Sequence, residues 1–213
     1  MADIRKIGGW AALYMAAVYA AMIVLFLVVL DYLDIVDSAE KLDLLVARRG
    51  LIELTNLAAY VMFAAALTVF VLALRDRVET AGALARMGSA TGLVWAGLVM
   101  ASGLVANAGL ERAVALAATD REAAIAYWAS VETVADALGG GAGEFAGGLT
   151  TLLLGLASVR AGFARGAGWL GVAVGLIGIV STLPVLYDLG GLFGVGQIAW
   201  FAWTGVALIR SLR

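Results

Sequence analysis

Six runs of mostly apolar residues, at about 10–30, 51–74, 88–110, 141–159, 168–187 and 192–209, decide what this chain can fold into. Each is near twenty residues long, and at about 1.5 Å per residue such a helix matches the ~30 Å hydrocarbon core of a bilayer. Lipid offers no hydrogen-bond partners, so a chain crossing it as separate apolar runs must close its backbone bonds within helices. The runs therefore predict an all-α polytopic transmembrane bundle of six spans, one transmembrane domain over residues 1–213. The first run is not a signal peptide by this reading. Trp10 to Leu30 carries no charge over 21 residues, whereas a signal's apolar stretch has about 7–15.

Lysine and arginine set the expected orientation. With the N-terminus inside, Arg5, Lys6, Arg75, Arg77, Arg86, Arg160, Arg165, Arg210 and Arg213 fall inside, and Lys41, Arg48, Arg49, Arg112 and Arg121 fall outside. Nine against five favours both termini on the cytoplasmic side.

Composition removes several chemistries. The chain has no cysteine and no histidine. Disulfides, thiolate metal sites, histidine-ligated haem and serine–histidine catalysis are excluded by residue type. A formal charge of -2 provides no basic field for nucleic acid. No cofactor and no metal are expected.

Two outer segments exceed simple turns. In residues 31–49 the acids Asp31, Asp34, Asp37, Glu40 and Asp43 recur every third position, with Leu33, Val36 and Leu42 as an apolar stripe. This reads as the solvated face of an interfacial helix in preference to a cation-attracting rim. Residues 119–138 predict a second interfacial helix lying flat on the outer surface. Thr119 and Glu122 form a capping box, and Ala124, Trp128, Val131, Ala135 and Leu138 follow at helical spacing. Gly139, Gly140, Gly141 and Gly143 then loosen the link to the fourth span.

Few polar residues interrupt the spans, and by default such groups mark function. Glu53, Asn56 and Tyr60 lie on one stripe of span two. Asn107 ends span three and Glu144 starts span four, while Asp188 follows span five. Gln197 shares a face of span six with Trp200. The alternating helix directions put Glu53, Asn56, Asn107, Glu144, Asp188 and Gln197 in the outer half, which predicts one outward-opening polar pocket. Helix-end capping is the competing explanation for Glu53 and Glu144, each near a helix start, and Arg48 or Arg49 is placed to pair with Glu53. Pro184, the single proline, is expected to bend span five by freeing the carbonyl of Val180. Gly88/Gly92, Gly143/Gly147, Gly171/Gly175 and Gly190/Gly194 are small-xxx-small pairs suited to close helix crossings.

Gly168-Trp169-Leu170-Gly171 opens span five, and Gly194 to Arg210 reads G-V-G-Q-I-A-W-F-A-W-T-G-V-A-L-I-R. Together they resemble an uncharacterised bacterial multi-pass family with a W-L-G helix start and a G-Q-x-x-W-F-x-W-x-G final helix. The resemblance covers about the last 70 residues. It implies a bacterial inner-membrane bundle and carries no activity and no catalytic residues.

Three readings of function follow. The first is a non-enzymatic accessory or sensing component that binds a lipid-like molecule or a partner subunit in a larger membrane complex. The second is a small transporter or channel, for which Thr68, Ser89 and Thr91 are the only inner-leaflet polar hints. The third is a membrane enzyme using Glu53 and Glu144 as acid and base. An enzyme requires those carboxylates to converge; a transporter requires a continuous polar lining.

Overall fold

The apolar runs form helices, and among the described residues there are no strands. The computed structural model describes residues 2–26, 35, 37–139 and 144–211. Its helices are α1 (Ala2–Val24), α2 (Ser38–Ala47), α3 (Arg49–Asn56), α4 (Phe63–Arg77), α5 (Ala83–Ala117), α6 (Arg121–Gly139), α7 (Phe145–Arg160), α8 (Arg165–Val180) and α9 (Leu189–Arg210). A π-helical stretch, Leu57–Met62, joins α3 to α4. Asp31, Leu33, Asp34, Val36, Gly140, Gly141, Gly143 and Arg213, invoked above, lie outside the described residues, as does the end of the first run, 27–30.

Ile4–Val24, Arg49–Arg77, Ala83–Ala117 and Leu189–Arg210 are long and apolar enough to cross a bilayer. The helices α7 and α8 are apolar but have only 16 residues each, about 24 Å of rise.

Six helical rods close into a ring. In order around it, α4 packs on α1, α1 on α9, α9 on α8, α8 on α7, α7 on α5 and α5 back on α4. Neighbours run antiparallel. Gly9 faces Gly205 while Tyr19 reaches Gly194. Gly88 faces Leu154 while Gly147 faces Trp95. Glycines set the closest approach. A Cβ at Gly148 would lie 2.6–2.8 Å from backbone atoms of Gly175, Gly178 and Ile179, and one at Gly155 would meet the Gly168 carbonyl at 2.8 Å. In lipid, apolar burial does not drive helices together, so such backbone-to-backbone packing carries the association. Gly88, Gly92, Gly171 and Gly175 are crowded as the small-residue pairs suggest, but Gly190 meets nothing within 4 Å and Gly194 only Tyr19 at 3.8 Å. That last pair therefore does not mark a tight crossing.

Inside the ring, aromatic side chains form the core. Trp95 stacks on Phe201 at 6.4 Å between centroids, and Phe70 stands edge-on to both Trp200 and Phe201 at 5.4 Å. The ring's outer surface is apolar too, with Trp10, Met62, Val94, Trp169, Leu176 and Trp203 exposed.

One end of the ring carries a cap. At 35 residues, α5 is about 52 Å long and outruns its expected end near 110. Leu110 and Ala113 from this extension join Leu42 and Leu45 of α2, Ile52 of α3, and Ala124 and Trp128 of α6 in a second buried cluster. Burial from water stabilises a leucine by about 1.5–3 kcal/mol, a driving force absent between helices in lipid. Lys41 pairs with Glu132 at 2.9 Å, and Arg121 grips both oxygens of Asp43 at 2.7 and 2.9 Å, fastening α2 to α6.

Three local expectations are corrected. The sixth helix does not lie flat but runs back antiparallel along α5. Val131 abuts Gly109, and Ser102 Oγ donates to the Ala135 carbonyl at 2.8 Å. Its cap is Asp120, whose Oδ1 accepts from the Ala123 N–H at 3.0 Å. Thr119 instead donates back to the Leu116 carbonyl of α5, because its hydroxyl lies over the preceding helix end. Pro184 does not bend a helix. It opens a 3-10 turn, Pro184–Leu186, after α8 has ended at Val180. Leu183, forced extended (φ -78, ψ 129) by the following ring, donates to the Val180 carbonyl at 3.0 Å, so that acceptor is not free.

Candidate functional site

The eight polar and aromatic candidates do not form one pocket. Glu53 accepts from Arg49 Nε at 2.7 Å, one turn away and partly exposed, as its helix-start position allowed. Asn56 donates to Asn107 Oδ1 at 2.9 Å, and Asn107 Nδ2 donates to the Glu53 carbonyl at 3.1 Å. These three amide and carbonyl groups clasp α3 to α5. Gln197 is fully buried and donates to Thr151 on α7 at 2.6 Å. Trp200 is packed in the aromatic core, and Asp188 is exposed at the start of α9. Alternating helix direction gave these residues a similar depth but not a common azimuth, and the azimuth decides which groups meet.

Two candidates do share a cavity. Tyr60 and Glu144 line a space of 260 Å³ together with Val18, Tyr19, Met22, Phe26, Ala59, Phe63, Trp95, Val99 and Gly139. Glu144 immediately precedes α7, opposite Val99 of α5. Its N–H donates to Ser181 Oγ at 3.4 Å. Among the described residues its carboxylate has no hydrogen-bond donor and no cationic partner. The lining contains no lysine or arginine.

Local helix geometry makes this space. Ala59 and Tyr60 sit in the π-helical stretch, whose wider turn displaces side chains and carbonyls from their α-helical positions. Tyr14 of α1 donates its hydroxyl to the Ala58 carbonyl at 2.8 Å, holding the widened turn from the side. Tyr19 and Trp95 meet the Phe63 ring at 77° and 71°, so the three rings form a corner and not a parallel stack. Tyr19, Met22, Phe26 and Phe63 were not singled out in the sequence. Only a mid-span tyrosine such as Tyr19, with a polar tip to satisfy, offered any signal.

Tyr60 also borders a smaller space of 90 Å³ beneath the cap, lined in part by Asn56, Ser102, Trp128, Glu132 and Asp136. Burial pushes the Asp136 carboxyl above its ordinary range; Glu132 adds to this and Lys41 opposes it. In the cap, the hydrogen bond from Arg121 holds Asp43 below its ordinary range, with desolvation opposing and the charge of Arg121 adding to it.

Thr68 and Thr91 return their hydroxyls to carbonyls of their own helices, Ala64 and Met87. Among the described residues no three acidic side chains gather as metal ligands. Compared with protein-family models, curated proteins and solved structures, the chain matches none.

Proposed function

We propose that this protein is a non-enzymatic accessory or sensing component of a bacterial inner membrane that binds a lipid-like amphiphile in the cavity beside Glu144. We further propose six spans with both termini cytoplasmic, so that the cap and cavity lie on the outer side. The closed antiparallel ring supports that topology, because Arg75 and Arg77, Arg160 and Arg210 all end helices at the pole away from the cap. The resemblance of about the last 70 residues to an uncharacterised multi-pass family belongs to the same proposal. In the fold, the two parts of that motif pack together: a side chain at Gly171 would strike the Trp200 indole.

The single observation carrying the binding reading is the cavity itself. Among the described residues its lining is mostly apolar with one carboxylate, and it is slightly smaller than the about 300–1,000 Å³ of typical small-molecule sites. That size suits a headgroup and part of a chain. The acid–base reading lacks its second carboxylate, since Glu53 lies on Arg49 and does not line the cavity.

Native mass spectrometry of gently extracted protein tests the proposal. The expected result is a retained small amphiphile that is lost when Ala59→Trp fills the cavity. Equal, empty spectra for both proteins would contradict it, and a co-purifying polypeptide in place of a small molecule would favour the partner-subunit reading.

A further inference from the structure

Resting on that binding reading, we infer that the ligand's headgroup is an organic cation, a substituted ammonium, seated between the Glu144 carboxylate and the rings of Tyr19, Tyr60, Phe63 and Trp95. Four observations converge on this chemistry. Among the described residues the cavity is lined by one carboxylate and no basic side chain. That carboxylate has no donor and no counter-ion among the described residues. An anionic headgroup would therefore meet repulsion, whereas a cation offsets the cost of holding that buried carboxylate in its charged form. The nearby side chains add no positive charge among the described residues: Tyr19, Tyr60 and Tyr187 are neutral phenols, and Asp136 lies within reach of Tyr60 and Tyr187. Lys41, which lies within reach of Asp136, is held in a salt bridge with Glu132.

The rings supply the second half of the site. Aromatic faces attract ammonium groups through their quadrupoles, and tryptophan and tyrosine do so best. Tyr19, Phe63 and Trp95 form a corner, and Tyr60 on the π-helical stretch brings a fourth ring to the same space. A bulky, weakly hydrated ammonium fits such a box better than a bare metal ion, which would need more oxygen ligands than one carboxylate supplies. Met22 indicates where an alkyl chain leaves. It lines both the cavity and a shallow apolar groove on α1 formed with Ala20, Ala21, Val24 and Leu25. The same headgroup chemistry is available from a tailed amphiphile or from a free ammonium ion.

Radiolabelled decyltrimethylammonium, titrated into the full chain in uncharged maltoside micelles, tests the inference, with tetramethylammonium and decanol as competitors. Saturable binding is expected, weakened at least about tenfold by Glu144→Gln and by Tyr60→Leu but retained in Tyr60→Phe. Decanol should compete at least about tenfold less well than unlabelled decyltrimethylammonium. Weak competition by tetramethylammonium would assign a tailed ligand, and competition equal to the tailed cation would assign a free ammonium ion. Equal competition by decanol, with no effect of Glu144→Gln in a variant whose thermal unfolding is unchanged, would overturn the cation inference and leave amphiphile binding standing. No saturable binding of either tailed probe would overturn both.

Discussion

At the scale of single residues, short polar side chains decide where helices begin and how they hold together. Asp120 and Thr119 are adjacent and both able to cap, yet only Asp120 reaches the exposed N–H groups of α6, while Thr119 serves the end of α5. Replacing Asp120 by alanine should cost about 0.5–2 kcal/mol of local stability, seen as faster hydrogen exchange in the first turn of α6. Thr119→Ala should cost less. An equal or larger effect at Thr119 would mean that the capping box forms after all. Sequence spacing could not separate these two residues, because the choice rests on the direction in which the chain leaves α5. The widened turn at 57–62 was equally hidden: Leu-Ala-Ala-Tyr-Val-Met has nothing that marks it apart from an ordinary helix, and its support comes from Tyr14, 44 residues away.

At the scale of elements, the bundle and the cap hold together by different physics. In the bundle, α7 and α8 meet through glycine backbones. Gly155→Leu should prevent that contact, since even a Cβ there would lie within 3.0 Å of Gly168, Gly171 and Val172 backbone atoms. The expected outcome is loss of the monodisperse folded protein on gel filtration. Gly190→Leu, at a position with open space, should remain folded. On the proposed topology the cap lies in water, where buried Leu42, Leu45, Leu110 and Trp128 carry the packing. Its acids respond to pH in opposite senses. Asp136 has a raised pKa in the folded cap. Its neutral form is the favoured one there, so its contribution is complete below its unfolded pKa and is lost as pH rises through the folded value. Asp43 has a lowered pKa, so its contribution is present above its unfolded value and fades as pH falls through the folded one; being exposed, it contributes little. Asp136→Asn should therefore stabilise the cap slightly at neutral pH, the side chain being exposed, and flatten the decline in stability above the ordinary carboxylate range. Thermal unfolding followed across that range measures both, and an unchanged pH profile would contradict the assignment. The buried face of α6 was legible from its apolar spacing, with Trp128 turned inward. Its upright stance along α5 was not, because spacing defines a face and not the partner that covers it.

At the scale of the whole molecule, hydropathy made the helical architecture legible, and the structure adds the order in which the helices close. The run expected to reach residue 187 stops at Val180 because the residue before Pro184 must be extended, which leaves α8 as short as α7. The site was half legible. Glu144 and Tyr60 were recognisable as polar intrusions, but Met22 and Phe63 are indistinguishable from core residues until the ring of helices sets them around a space. The account rests on that space lying at the outer end of the bundle, away from the basic helix ends. The absence of native cysteine allows a direct test, because any thiol label must report an introduced site. Cysteine placed at exposed Glu122 in the cap, or at exposed Glu79 at the opposite pole, is treated with a membrane-impermeant maleimide on intact cells. The account predicts that Glu122→Cys labels from outside and that Glu79→Cys labels only after the membrane is opened. Labelling of Glu79→Cys on intact cells, with Glu122→Cys protected, would place the cavity on the cytoplasmic side and contradict it.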